Sequence, residues 1–110
     1  MNKNDLAYID HIFDCIRKIQ QFSKGFNQKK FSEDELVQDA IIRNIEVIGE
    51  ASKKISADTK KTYYKIPWKE ITGMRDKLIH DYLGVDTKVL WKTIKEDIPA
   101  LKRLLKEIKE

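Results

Sequence analysis

Apolar residues recur along this chain at intervals of three and four, and the alternation expected of strands occurs nowhere. Leu6, Ile9, Phe13, Ile16 and Ile19 share one stripe, which predicts a first helix capped by Asn4 and ending near Phe22. Residues 23–30 contain Gly25 and read as a connecting loop. A second helix is predicted from Ser32, where Ser32-Glu33-Asp34-Glu35 makes a capping box and Phe31 can pack on Leu36 as a hydrophobic staple. It runs to about Ile55. Its main apolar stripe is Leu36, Val37, Ala40, Val47, Ile48 and Ala51, while Ile42 and Ile45 lie across the helix beside Gly49. A glycine inside a helix costs about 1 kcal/mol relative to alanine, so Gly49 predicts the close approach of another helix.

Residues 56–66 are polar and read as a loop with at most a helical turn. Pro67 suits the first turn of a third helix reaching about Tyr82, with Trp68, Ile71, Met74 and Leu78 facing inward. Asp86 caps a fourth, carrying Val89, Leu90 and Ile94. Pro99 removes a backbone donor and should kink or restart it before Leu101, Leu104, Leu105 and Ile108. The sum is an all-α antiparallel bundle of four to five helices, one domain over residues 1–110.

Two polar residues break this pattern. Asn44 falls within the main stripe of the second helix, where an amide needs partners; a hydrogen bond to backbone and a role in a site explain it equally well. Arg75 falls in the middle of the arc marked by Ile71, Met74, Leu78 and Ile79. Its stem can lie on the core and its head reach water or a carboxylate, or its fork of donors can serve a phosphate. His80 is either a solvated cation near a helix end, with Gly84 as the stop, or a proton carrier near neutral pH.

Composition removes other chemistries. Lys and Arg outnumber Asp and Glu by 22 to 18, a net charge of +4 and a pI of about 9.1. That excess is compatible with a polyanionic partner, yet Lys102, Arg103, Lys106 and Lys109 also read as a solvated helix face. Two histidines and one cysteine with no paired spacing make a zinc site improbable, and no cofactor is expected. There is no glycine-rich phosphate loop and no Gly-x-Ser-x-Gly elbow. Cys15, in a helical pattern, reads as a small buried hydrophobe. With no signal-peptide pattern and no membrane-length apolar run, the expected location is cytoplasmic. One histidine and one arginine suffice to cleave RNA without metal: a base takes the ribose 2′-hydroxyl proton, the oxygen attacks phosphorus, and a guanidinium stabilises the charge.

Arg75-Asp76-x-x-x-His80-x-Tyr82 resembles the Arg-polar-x-x-x-His-x-Tyr signature of the HEPN superfamily, specifically the HepT-like toxins of HepT/MntA toxin–antitoxin pairs. Residues 42–51, Ile42 to Ala51, look like that family's second-helix block; residues 66–74 look like the lead into its catalytic helix; residues 91–99 fit its closing helix. The resemblance implies an all-helical homodimer and an endoribonuclease that needs no metal. It carries Arg75 and His80 over as the catalytic pair. Tyr82 becomes the residue that a cognate nucleotidyltransferase antitoxin, MntA-like, modifies with AMP. On a regular helix Arg75 and His80 point roughly 140° apart, a mismatch that a two-fold cleft lined by both subunits can relieve, with Ile42, Ile45 and Gly49 as the second apolar face that pairs. Asp76, four residues before His80, is placed to orient the imidazole. Tyr82 returns to within about 20° of the Arg75 face, and Arg43, Asn44 and Glu50 are candidates for polar support. The alternative within the same resemblance is a non-catalytic HEPN module that binds nucleotide, RNA or a partner protein.

Overall fold

The computed structural model describes residues 1–80 and 84–109, with His80 described as backbone only. Helix α1 spans Lys3–Ser23, capped by the Asn2 side chain, which accepts from the Asp5 N–H at 2.7 Å. The cap is thus Asn2 rather than Asn4. Ile9, Ile12, Cys15, Ile16 and Ile19 are buried, whereas Leu6 is largely exposed and Phe13 half-buried, so the buried stripe is centred a step away from the predicted one.

Gly25 turns the chain with φ +83°, in the left-handed region that glycine adopts without a side-chain clash. A short helix α2, Gln28–Ser32, follows under an Asn27 cap. Ser32 therefore ends a helix rather than starting one, and its hydroxyl donates to the Lys29 carbonyl at 2.6 Å. The long helix α3, Glu35–Lys54, begins under Asp34, whose carboxylate accepts from the Val37 N–H at 3.0 Å. The predicted staple is absent. Leu36 is 80% exposed, while Phe31 is buried and lies 5.2 Å from the Trp91 ring.

α1 packs lengthwise on α3. The buried face of α3 is Ile41, Ile42, Ile45, Ile48, Gly49, Ala51 and Ser52, so Ile42 and Ile45 belong to the core of this chain and are not a free second face. Helix α4, Ala57–Thr62, is capped by Ser56. Its start is tied to α1 by Asp5, whose 2% exposed carboxylate accepts from Ser56 N at 2.9 Å, Ser56 Oγ at 2.6 Å and Thr59 Oγ1 at 2.6 Å.

The third predicted helix is interrupted. Helix α5 covers only Trp68–Thr72, after which Gly73 donates back to the Lys69 carbonyl at 3.1 Å. A 3-10 turn follows, Arg75–Lys77, with Asp76 N donating to Gly73 at 3.2 Å and Leu78 N to Arg75 at 3.0 Å. Strands β1, Ile79–His80, and β2, Gly84–Val85, pair antiparallel with Ile79 opposite Val85 and His80 opposite Gly84. Gly84 has φ +79° and serves the hairpin rather than a helix stop. Even so Trp68, Ile71, Met74 and Leu78 are all buried, as their spacing required.

Asp86 caps helix α6, Thr87–Lys92, accepting from Val89 N at 3.1 Å. Leu90 and Ile94 are buried, while Val89 is exposed. A π-helical segment, Thr93–Asp97, leads into α7, Ile98–Lys109. Pro99 has no N–H to offer the carbonyl four residues back, and the wider turn just before it absorbs that loss. Among the described residues the chain is an all-α bundle with one pair of two-residue strands, and a single core cluster joins α1, α3, α5, α6 and α7. Among the described residues no helix is long and apolar enough to cross a membrane.

Candidate active site

Gly49 fixes where Arg75 stands. A Cβ at Gly49 would lie 3.2 Å from the Thr72 carbonyl oxygen and 3.6 Å from that of Ile71, so the backbone of α5 rests directly on α3. The helix approach predicted from this glycine is present, and the approaching helix belongs to the same chain. With α5 seated there, the 3-10 turn brings Arg75 beside Glu46, one turn before Gly49 on α3. Arg75 Nε is 3.7 Å from Glu46 Oε2, and Nη1 is 3.6 Å from Asp76 Oδ1.

Both separations exceed hydrogen-bond length. The Arg75 side chain is 46% exposed and Asp76 82% exposed, so these pairs contribute at most about 1 kcal/mol to stability. Their effect is positional. Two carboxylates flank a guanidinium with five N–H donors at the surface, and among the described residues it makes no short bond, which leaves donors for an anionic ligand.

The other site candidates are distributed differently. Asn44 is half-buried and donates Nδ2 to the Ala40 carbonyl at 2.8 Å, the backbone bond that explains an amide in an apolar stripe. Glu50 is exposed and 3.3 Å from Lys53 Nζ, and Arg43 is exposed. Among the described residues none of these three forms an ion pair or hydrogen bond with Arg75. The helical register that would set Asp76 beneath His80 is absent, because the chain has left the α-helix at Gly73. For the same reason the 140° separation of Arg75 and His80, and the return of Tyr82 to the Arg75 face, no longer follow from helix geometry. The His80 side chain and Tyr82 lie outside the described residues.

Glu46 is the residue that sequence reasoning passed over. Its signal was present in the position of a carboxylate three residues before a glycine that demands a close neighbour. Among the described residues no group of three or more His, Cys, Asp or Glu side chains is gathered to hold a metal ion. Cys15 is 2% exposed, and burial pushes its thiol above the ordinary range.

Comparison with known proteins gives this geometry its context. The family model for HepT-like ribonucleases matches residues 12–108, a span that includes Glu46, Gly49, Arg75, His80 and Tyr82. The chain belongs to the HepT-like ribonuclease family. It is 44% identical to the "Probable ribonuclease HepT" of Thermococcus cleftensis, covering all of both chains. It is 40% identical to a "Putative RNase" of Caldanaerobacter subterraneus subsp. tengcongensis over 96% of this chain and 95% of that one. A "Putative RNase" of Methanocaldococcus jannaschii is 42% identical over 98% of this chain and 94% of its own. No solved structure matches the chain. HepT-like membership makes RNA the substrate class to which the surface guanidinium is to be related.

Proposed function

We propose that this chain is a metal-independent endoribonuclease, the toxin of a toxin–antitoxin pair, with Arg75 and His80 as its catalytic residues. The observation that carries the reading is Arg75: an arginine on the family's signature, held at the surface by Glu46 and Asp76 at distances too long to consume its donors. In the proposed reaction the His80 imidazole takes the proton of a ribose 2′-hydroxyl, and that oxygen attacks the adjacent phosphorus. Negative charge grows on the phosphoryl oxygens, where the Arg75 guanidinium meets it. The 5′-oxygen leaves with a proton, and a 2′,3′-cyclic phosphate remains. His80 can supply that proton after having taken the first. Relatives named as ribonucleases over nearly full length support the substrate class.

The test is cleavage of total RNA in EDTA. Wild-type protein should cut it and leave cyclic phosphate ends, while Arg75→Ala and His80→Ala should each lose about 10²- to 10⁴-fold with the fold intact. Equal cutting of an all-deoxy substrate, or complete loss of activity in EDTA, would overturn the mechanism. An inactive wild type that still binds RNA would favour a binding module. For control of the enzyme, Tyr82 is the proposed acceptor of AMP from a nucleotidyltransferase antitoxin. A phosphate and a base attached there would compete with RNA for the site. Intact-mass measurement of protein co-expressed with its antitoxin decides this, since unmodified Tyr82 in fully inhibited protein would leave only inhibition by binding.

A further inference from the structure

The face of α5 next to the Gly49 contact holds a second feature. Lys53 near the end of α3, Lys60 on α4 and Lys69 on α5 line one depression of about 410 Å³, together with Trp68 and Thr72. Lysines from three separate elements thus border one concavity. The remaining polar groups of its lining are already engaged. The Trp68 indole N–H donates to the Tyr63 carbonyl at 3.1 Å, and the Thr72 hydroxyl donates to the Trp68 carbonyl at 3.0 Å. That leaves the three lysines, of which Lys53 already donates to Glu50 Oε1, as the donors to meet a ligand.

Glu50 is the carboxylate that opposes this field, at 3.3 Å from Lys53 with both side chains more than half exposed. Such a pair is weak and exchanges readily. Among the described residues Lys60 and Lys69 have no carboxylate partner. A hollow lined by three lysines and no carboxylate suits a phosphodiester.

Its position selects which phosphodiester. Lys53 follows Glu46, the residue beside Arg75, by seven residues on α3, two helical turns or about 10 Å along the axis. Thr72 lines the depression and stands three residues before Arg75. The depression and the guanidinium both adjoin the α3–α5 contact, Lys53 and Glu46 standing on the same side of α3.

We infer that Lys53, Lys60 and Lys69 form a backbone-binding subsite that holds a phosphate of the RNA strand flanking the one at Arg75. The inference rests on the ribonuclease reading for its ligand. It adds a grip that fixes strand position without reading bases, since ammonium groups hold phosphates as point charges.

The test uses a single-stranded RNA carrying 2′-O-methyl groups, which can be bound but not cut by 2′-hydroxyl attack, so binding is measured apart from cleavage. Wild-type affinity is followed by fluorescence anisotropy from low to high salt and compared with K53Q/K60Q/K69Q. A second triple variant, K24Q/K29Q/K106Q, removes the same charge from positions outside the depression. The subsite variant should bind on the order of ten- to a hundredfold more weakly at low salt. Its slope of log affinity against log salt should fall by about 0.7, the share of the one phosphate that the lysines no longer neutralise. K53R/K60R/K69R should retain wild-type affinity. The control triple should change affinity by less than the subsite triple, and circular dichroism should show all variants folded.

An unchanged affinity and salt slope in K53Q/K60Q/K69Q would overturn the subsite even if the protein cleaves RNA, and would leave an acidic partner protein as the surface's alternative ligand. Equal weakening by both triples would overturn it too, since net charge alone would then account for binding. A wild type that binds RNA through these lysines yet cleaves none would instead sink the ribonuclease reading and leave the subsite standing.

Discussion

Arg75 shows how little of an arginine's role is decided by its own position in a pattern. Its spacing placed it among aliphatics, and both a snorkelling stem and a phosphate fork fitted that position. The Glu46 contact fits both, since a snorkelling head seeks a carboxylate and the length of the contact leaves donors for a phosphate. Glu46, 3.7 Å away, makes no short bond to the guanidinium, and whether it orients Arg75 is open to test. Glu46→Gln removes the charge beside Arg75 and keeps the side-chain size. Cleavage at saturating RNA should fall by about ten- to a hundredfold through misplacement of the guanidinium, while melting changes by no more than about 1 kcal/mol because the pair is exposed. Single-turnover cleavage alongside thermal denaturation measures both. Unchanged cleavage would show that Glu46 does not orient Arg75. Asn44 and Glu50 make the complementary point. Their types suggested a site, and their observed bonds, to the Ala40 carbonyl and to Lys53, are local ones.

Elements were legible in the sequence where one local interaction decides them. Asp86 caps α6 and Pro99 forces a wider turn because each acts on backbone groups within four residues. The capping box at Ser32 placed the start of the long helix too early, because α2, under Asn27, takes Ser32 as its last residue and Asp34 caps α3 instead. The break at Gly73 was not legible, since the inward spacing of Trp68, Ile71, Met74 and Leu78 is satisfied equally by a short helix followed by a 3-10 turn. Long-range ties were out of reach altogether. Asp5 and Ser56 are 51 residues apart, and no periodicity connects them. Burial alone would raise the Asp5 pKa, but the hydrogen bonds from Ser56 and Thr59 outweigh it and hold the carboxyl below its ordinary value. A depressed folded-state pKa stabilises the fold above the unfolded value, about 3.9, and that contribution is lost as pH falls further. Asp5→Ala should cost ~2–3 kcal/mol at pH 7 by stranding buried hydroxyls, and this cost should shrink in acid, as urea melts at pH 7 and pH 3 would reveal. At Gly49 the expectation is steric. Gly49→Leu drives a side chain into the Thr72 carbonyl, which is backbone and cannot swing aside. A loss of roughly 1–3 kcal/mol follows, with cleavage reduced as well because the turn bearing Arg75 loses its seat.

At the scale of the molecule, the apolar surface that the sequence pattern set aside for a homodimer is already filled from within. Ile42 and Ile45 are 6% and 0% exposed within one chain, and Gly49 is occupied by α5, so none of the three is left over for a partner. The angular mismatch between Arg75 and His80 presumed a helix that ends at Gly73. What still supports a dimer is the resemblance to HepT-like toxins, together with a chain of 110 residues whose modest core gains from added burial. The dimer is best tested through function, since a shared cleft makes a prediction that mass alone does not. Arg75→Ala and His80→Ala protein, each inactive, are mixed, unfolded together and refolded. If Arg75 and His80 from both subunits line one cleft, heterodimers retain one arginine and one histidine there. Random pairing then puts about half the molecules in that form. Activity should reappear in the mixture as a measurable fraction of wild type, and should be absent from either variant refolded alone. Light scattering at micromolar concentration should give twice the mass of the chain for wild type and for both variants. A dimeric mixture that stays inactive would mean that each chain completes its own site. A monomer with full activity would remove the cleft and leave Arg75 and His80 to act within a single chain.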